Sequence, residues 1–466
     1  MLWACLLLPQ LALDGVLRRR ADNSPLVLVD GPVNARVVVA VNASAHAAGL
    51  RIGQRLTAAQ ALLAQFEAAP YDAADVARWQ QFLASVAYRY SSQVALLPHA
   101  IVLEVSKSQS LFGSWLVMEQ RLREDITALG FRYRIAAAPT PHGAYVMAGV
   151  SDGQTALSHE SMRRLLDDVP LGKSRLPARA VDALPRMGVR RLGQLLRMPR
   201  DGLQRRFGAE LLQAMDRLTG DLPAGLDLYV PPDAVDWIIE LSHEVENLAA
   251  LVFPLKRMTG DLAAYLSGRD GGVQRFVLKL VHRDLAATDV SVGMLSPERD
   301  ADVLFDAARG RLEQVSLPAP VLALRLMADD LPTFAPTGRD LFDERPAHAL
   351  PFEQLRERLR ARLGDGAVYR WGATADPRPE HSQRVAVQDD VLLEPRPRPT
   401  WLLTRPMPLR GALRVISGPE RLETGWWDGG DARRDYYVVE TSMGQRAWAF
   451  CAPGERSGWM LHGWFA

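Results

Sequence analysis

The sequence predicts an α+β multidomain protein, and three observations carry that reading. Residues 1–150 and residues 235–330 each alternate strand-length apolar runs with helix-length stretches in a β-α-β-β-α-β order. Between them lies an arginine-rich stretch of short helical segments. The last 66 residues are rich in aromatics, with turn signals between strand-like runs. At 466 residues the chain exceeds what one hydrophobic core holds, so several domains of ~100–150 residues are expected.

Composition narrows the class. A hydrophobic content of 48% with 23% charged residues is ordinary for a globular protein, and the net charge of +1 hides an uneven distribution. Cys5 and Cys451 are too few for a disulfide framework or a zinc site, and the nine histidines show no ligand spacing. No metal and no cofactor are therefore expected, and the cysteine usage points to a reducing compartment. The opening LWACLLLPQLAL is followed, not preceded, by Arg18, Arg19 and Arg20, so it reads as a core strand of a cytoplasmic protein rather than a signal segment. No run reaches the ~20 apolar residues of a membrane span, and no membrane partner is expected.

Taken in order, residues 2–8 form a strand buried on both faces, ended by Pro9. LVLVD (26–30) and VVVAV (37–41) follow as strands, then helical spacing over 59–66 and a long helix over 76–90. Residues 94–97 and 101–105 read as a hairpin, 111–129 as a second long helix and 133–138 as a last strand. Two helices are expected on one face of the sheet. The hairpin carries His99 and Ala100 on its approach, and no carboxylate precedes Asp14 in the first strand region. Side by side, these strands would make the floor of a site from which the acids are missing.

Residues 184–199 read as two short helices joined at Met187 and Gly188, with a similar unit through residues 203–208. From Arg186 to Arg217, eight arginines stand against three acids, Asp201, Glu210 and Asp216, a net +5. Arg186, Arg190, Arg191, Arg205 and Arg206 are candidates for contact with an anionic backbone. The alternative is a small helical bundle with a solvated basic face. In the second βαββαβ unit, strand alternation puts Arg275, Lys279 and Arg283 on one face and Phe276, Leu278, Leu280 and His282 on the other. That basic face suits nucleic acid, and a plain solvated sheet face is the rival reading.

Residues 332–345 form a linker with the apolar pair Leu341 and Phe342 among polar neighbours; residues 352–363 read as an amphipathic helix, and 376–399 as extended or disordered. Residues 401–466 hold six of the eleven tryptophans and are expected to form three strands. Trp426, Trp427, Tyr436, Tyr437, Trp459 and Trp464 are either the core of a small β module, which needs large side chains, or, as a surplus beyond one core, a partner-binding surface.

The order of these pieces resembles a Y-family translesion DNA polymerase: palm and fingers (1–160), helical thumb with helix-hairpin-helix-like units (161–230), little finger (231–330), linker (331–400) and C-terminal module (401–466). The tail ETGWWDGG…RRDYYVVE…GWMLHGWFA, with VVVAVNASAHAAGLRIGQRLTAAQALL and AAAPTPHGAYVMA, is similar to the ImuB family over essentially the whole chain. The resemblance implies where catalytic groups would stand. The first-strand acids fall at Leu7 and Pro9, and the hairpin pair at His99 and Ala100. The triphosphate-holding Tyr and Arg fall at Ala43 and His46, and a palm lysine at Val146. Glu104 is the one acid near, and one carboxylate cannot hold the two Mg²⁺ ions of phosphoryl transfer.

The resemblance therefore implies a non-catalytic adaptor in damage-induced (SOS) mutagenesis, with DNA, a sliding clamp, a RecA-like mutasome subunit and an error-prone C-family DNA polymerase as partners. The clamp peptide would be Leu341-Phe342, with Gly338 where such peptides carry glutamine; Gln388-Asp-Asp-Val-Leu-Leu is a poorer candidate. The rival expectations are a low-efficiency polymerase using Glu104 and a protein-only hub.

Overall fold

The computed structural model describes residues 1–20, 23–334, 355–356, 359–360, 363–364, 366–374, 376–386 and 397–466. The chain divides into two compact units, Met1–Arg362 and Leu363–Ala466.

The first unit opens with β1 (Trp3–Leu7), whose Ala4, Cys5, Leu6 and Leu7 are all buried, as a strand covered on both faces requires. After α1 (Leu11–Leu17), a small insertion forms a separate three-stranded sheet in the order β3-β2-β4. Its strands are β2 (Leu26–Asp30), β3 (Val37–Val41) and β4 (Glu67–Pro70), with α2 (Ala43–Ala47) and α3 (Leu56–Leu62) between the last two. Val27 and Val29 face the insertion's own core, while Leu26 and Leu28 pack with Leu13 of α1.

The palm resumes with α4 (Ala73–Tyr88), β5 (Val94–Leu97) and β6 (Ala100–Glu104). The long helix expected over 111–129 is two: α5 (Gln109–Phe112) and α6 (Trp115–Ala128). Gly113, at φ 90°, breaks it, because that backbone suits glycine and not a helix interior. Strand β7 (Arg134–Ala138), α7 (Pro141–Val150) and the two-residue β8 (Gln154–Thr155) complete a sheet in the order β5-β6-β1-β7-β8. Helices α4 and α6 cover the face of Ala4, Leu6, Ile101 and Leu103. The opposite face, with Cys5, Leu7, Ala100 and Val102, is not left open: α7 closes it with Ala144, Val146 and Met147.

The thumb comprises α8 (His159–Asp167), α9 (Ala178–Ala183), α10 (Leu192–Leu196), α11 (Arg200–Phe207) and α12 (Ala209–Thr219). Gly188 takes the left-handed conformation expected of the turn after Met187. Leu184, Leu192, Leu203, Leu211 and Leu218 join the core beneath α7.

The second βαββαβ unit runs β9 (Val235–Val245), α13 (Val252–Gly268), β10 (Val273–Val281), β11 (Thr288–Glu298), α14 (Ala301–Leu312) and β12 (Val321–Ala328), in the sheet order β11-β10-β12-β9. Its core is continuous with that of the palm's helical face. Where α13 meets α4, a Cβ on Gly268 would lie 1.9 Å from the Ser85 carbonyl oxygen, so only glycine permits that approach. Beside it, Arg18 and Asp261 form a buried ion pair at 2.5 Å, with the guanidinium 4.7 Å over Trp79 and 4.4 Å over Phe131.

The second unit reaches back beyond the module expected for 401–466. A two-stranded hairpin, β13 (Arg370–Ala373) with β14 (Gln383–Ala386), lies within the stretch expected to be extended. The tail itself has five strands rather than three: β15 (Trp401–Pro408), β16 (Leu413–Thr424), β17 (Ala432–Thr441), β18 (Arg446–Cys451) and β19 (Met460–Trp464), in the order β15-β19-β18-β17-β16. The two missed strands are the sheet edges. Both carry prolines and are largely exposed, so they lack the alternation that marks a strand.

Candidate functional site

The palm floor brings together three of the resemblance-assigned positions, Leu7, Ala100 and Val146. Leu7 pairs directly with Ala100 across β1 and β6, and both are buried, at 4% and 0% exposure. Pro9 is exposed in the turn after β1, and its place there ends the ladder. His99 is exposed in the tight β5–β6 turn at φ 54°, its carbonyl accepting from the Leu8 backbone N–H at 2.8 Å. Val146 is buried against the same sheet face as Leu7. Ala43 and His46 are exposed on α2, whose N-cap Asn42 is buried and accepts from the Ala45 N–H at 2.8 Å.

Glu104 does not belong to that floor. It pairs with Trp3 at the far end of the same two strands, four residues or about 13 Å from Ala100. Its carboxylate accepts from the backbone N–H groups of Ser106, at 3.1 Å, and Lys107, at 3.3 Å, and from the Ser106 hydroxyl. It caps a turn. Among the described residues, no group of three or more His, Cys, Asp or Glu could hold a metal ion. Leucine, proline, histidine and alanine at the assigned positions do not fit a pair of Mg²⁺ ions, whose hard charge calls for carboxylate oxygens.

The candidate nucleic-acid side chains separate by pairing. Arg186, Arg190, Arg205 and Arg206 are exposed on the thumb, and among the described residues none has a carboxylate partner. Arg191, also exposed, is paired with Asp168. Arg275 and Lys279 share the open face of the β11-β10-β12-β9 sheet, while Phe276, Leu278 and Leu280 are buried; the strand expected to run to Arg283 ends at Val281, so Arg283 lies in the bend beyond it. That face is not uniformly basic. Lys279 reaches Asp289 at 2.9 Å, directly across β11, and Arg283 reaches Glu244 at 3.0 Å. Arg325 on the next strand is held by Asp236. Of the three, Arg275 alone has no carboxylate partner among the described residues.

The aromatic tail needs a correction. Tyr436 and Tyr437 are buried, at 2% and 5% exposure, because consecutive strand residues point to opposite, covered faces. Tyr436 stacks on Trp448 at 4.2 Å and bonds His462 Nδ1 at 2.7 Å; Tyr437 meets Trp459 edge-on at 5.2 Å. Trp459 and Trp464 are half-buried against the core on the Tyr437 side. Burial takes Tyr436 and Tyr437 out of any docking surface, while Trp459 and Trp464 give part of their area to the core. Trp426 and Trp427 do stand out, at 76% and 59% exposure, on the turn between β16 and β17. Arg378 braces that turn by bridging Asp376, at 2.6 Å, and Asp428, at 2.5 Å. The fork holds Asp376 down to about 2.

Leu341 and Phe342 lie outside the described residues, as do Gly338 and Gln388. No helix among the described residues is long and apolar enough to cross a membrane.

Residues 14–148 match the impB/mucB/samB family. Over 464 aligned residues the chain is 26% identical to Protein ImuB from two strains of Caulobacter vibrioides, with 90% of this chain and 100% of the relative covered. Among solved structures, a post-insertion binary complex of Dbh DNA polymerase is similar over 72% of this chain and 100% of its own, at 13% identity and a TM-score of 0.40. DinB from Sulfolobus solfataricus is similar over the same shares, at 13% identity and a TM-score of 0.37.

Proposed function

We infer that this chain, which fits the ImuB family, is a catalytically inactive, polymerase-like adaptor of a bacterial translesion mutagenesis complex. The observation that supports inactivity is the pairing of Leu7 with Ala100, two buried apolar residues where the resemblance puts metal-binding carboxylates. Phosphoryl transfer by two metal ions needs oxygen ligands that bridge them and hold the attacking hydroxyl in line. This floor offers none, and α7 seals it with Val146.

What remains is binding. The exposed thumb cations Arg186, Arg190, Arg205 and Arg206 would hold the DNA backbone, with Arg275 as a further contact and Lys279 and Arg283 already engaged in pairs. Leu341-Phe342 would plug a sliding clamp. The protein-facing surface of the C-terminal unit narrows to Trp426 and Trp427, for a RecA-like subunit or an error-prone C-family polymerase. The DNA part is tested by titrating a primer–template at rising salt. Binding that weakens steeply supports the adaptor; no salt-dependent binding leaves a protein-only hub.

A further inference from the structure

Where the palm meets the thumb, a cavity of about 270 Å³ is lined by side chains that neither the DNA reading nor the partner reading uses. It is smaller than an ordinary small-molecule pocket, ~300–1,000 Å³, yet holds several waters at ~30 Å³ each. His142 at the start of α7, Tyr145 and Val146 supply the palm wall; Arg175, Glu210 and Arg217 supply the thumb wall.

Two features mark it as unfinished. The Nε of Arg217 and the Nδ1 of His142 are both shut off from solvent and lack any hydrogen-bond partner among the described residues. Buried polar nitrogens of this kind are normally satisfied, because an unmet one costs its desolvation in full. Arg175 is the second cation, beside Arg217. It sits in a left-handed backbone, φ 58°, which a side-chain-bearing residue seldom adopts, and its guanidinium lies 4.8 Å over the Tyr145 ring. Among the described residues neither Arg175 nor Arg217 has a carboxylate partner, and Glu210 is the one acid in the lining. Tyr145 in turn donates to the Pro98 carbonyl at 2.8 Å, tying the pocket to the turn that carries His99.

We propose that this cavity is a phosphoryl-anion site in which Arg175, Arg217 and His142, with its proton on Nδ1, donate to the oxygens of one phosphate group. Guanidinium forks match such oxygens in geometry and charge. Burial and the Arg217 charge hold the imidazole below its ordinary titration range, and the charge of a bound anion opposes that shift by stabilising the imidazolium. The site goes beyond the adaptor reading and stands whether or not the chain holds duplex DNA.

The test is NMR of the full chain, following the His142 ring resonance, identified by its loss in His142→Gln, while inorganic phosphate is added. The expected result is a saturable shift and a raised His142 titration midpoint. Arg217→Met should weaken phosphate by about tenfold or more. Glu210→Gln should strengthen it, a change of sign that loss of folding cannot mimic. Pyrophosphate, deoxyadenosine monophosphate and an oligonucleotide without terminal phosphate then identify the source. Displacement by the oligonucleotide assigns a backbone phosphate, and displacement by the small phosphates alone assigns a free phosphoryl group. A His142 signal that phosphate does not move, or an affinity unchanged by both Arg217→Met and Glu210→Gln, overturns the site.

Discussion

Leu7 of β1 stands directly opposite Ala100 of β6, and Val146 of α7 packs over the same face. An apolar pair here has a packing consequence as well as a chemical one. A polymerase floor must stay open to metal, water and nucleotide, whereas this one is covered and contributes to a core shared with the thumb. Leu7, Ala100 and Val146 belong to the same core as Leu184, Leu192 and Leu218 of the thumb, so these positions also hold the two subdomains together.

The contact between α13 and α4 predicts a contrast within one helix. Gly268→Ala forces a methyl group against the Ser85 carbonyl and should destabilise the first unit by about 1–3 kcal/mol. Gly260→Ala, on the same helix, meets nothing within 4 Å and should be neutral or stabilising by up to ~1 kcal/mol. Urea unfolding of the two variants measures both. Equal effects would mean that the close approach does not exist.

Pairing predicts unequal thumb arginines. Replacing Arg190 by glutamine should lower the slope of log affinity for DNA against log salt by about 1. Arg191→Gln should lower it less, since its charge is already shared with Asp168. Filter binding across a salt series separates them; identical slopes for both variants would argue that the pair opens on DNA.

Much of this architecture is legible in the sequence. Both βαββαβ units follow from alternating and continuous apolar runs, and Gly188 marks its own turn. The edge strands β15 and β16 are not legible, because an exposed strand with proline carries no period-two signal. The partners of Lys279 and Arg283 depend on hairpin register and on a strand some forty residues away, which composition does not encode. Arg18 and Asp261 are 243 residues apart, and nothing local announces their pairing. The phosphoryl-anion pocket was missed for the same reason: His142, Arg175 and Arg217 belong to three separate segments. Gly113-Ser114 is the one local signal of the break in the long helix, and the reading of a single helix over 111–129 passes over it.

Acid should loosen the C-terminal sheet in a defined window. Arg421, and behind it the Gly454 backbone N–H, hold Asp435 at about 2 in the folded state, below its ordinary 3.8. Its folded value is depressed, so the stability it contributes is present above the ordinary carboxylate range and is lost as pH falls from near 4 through about 2. Arg421→Gln should move the acid transition of tryptophan fluorescence to higher pH. An unmoved transition would remove this pair from the acid response.

Leu341→Ala combined with Phe342→Ala should abolish sliding-clamp binding by surface plasmon resonance while DNA affinity stays unchanged. Restoring Gly338→Gln should tighten the wild-type interaction by about 1–2 kcal/mol. A double variant that still binds clamp normally would place the contact elsewhere in the chain.

The central claim is that the palm transfers no phosphoryl group. Its most direct test is primer extension by the purified chain with all four deoxynucleotides and Mg²⁺ or Mn²⁺, beside a competent Y-family enzyme, with DNA binding measured in the same reaction. Bound primer and no added nucleotide are expected. Extension that disappears when Glu104 is replaced by alanine would contradict it, because a turn-capping carboxylate would then be acting in catalysis.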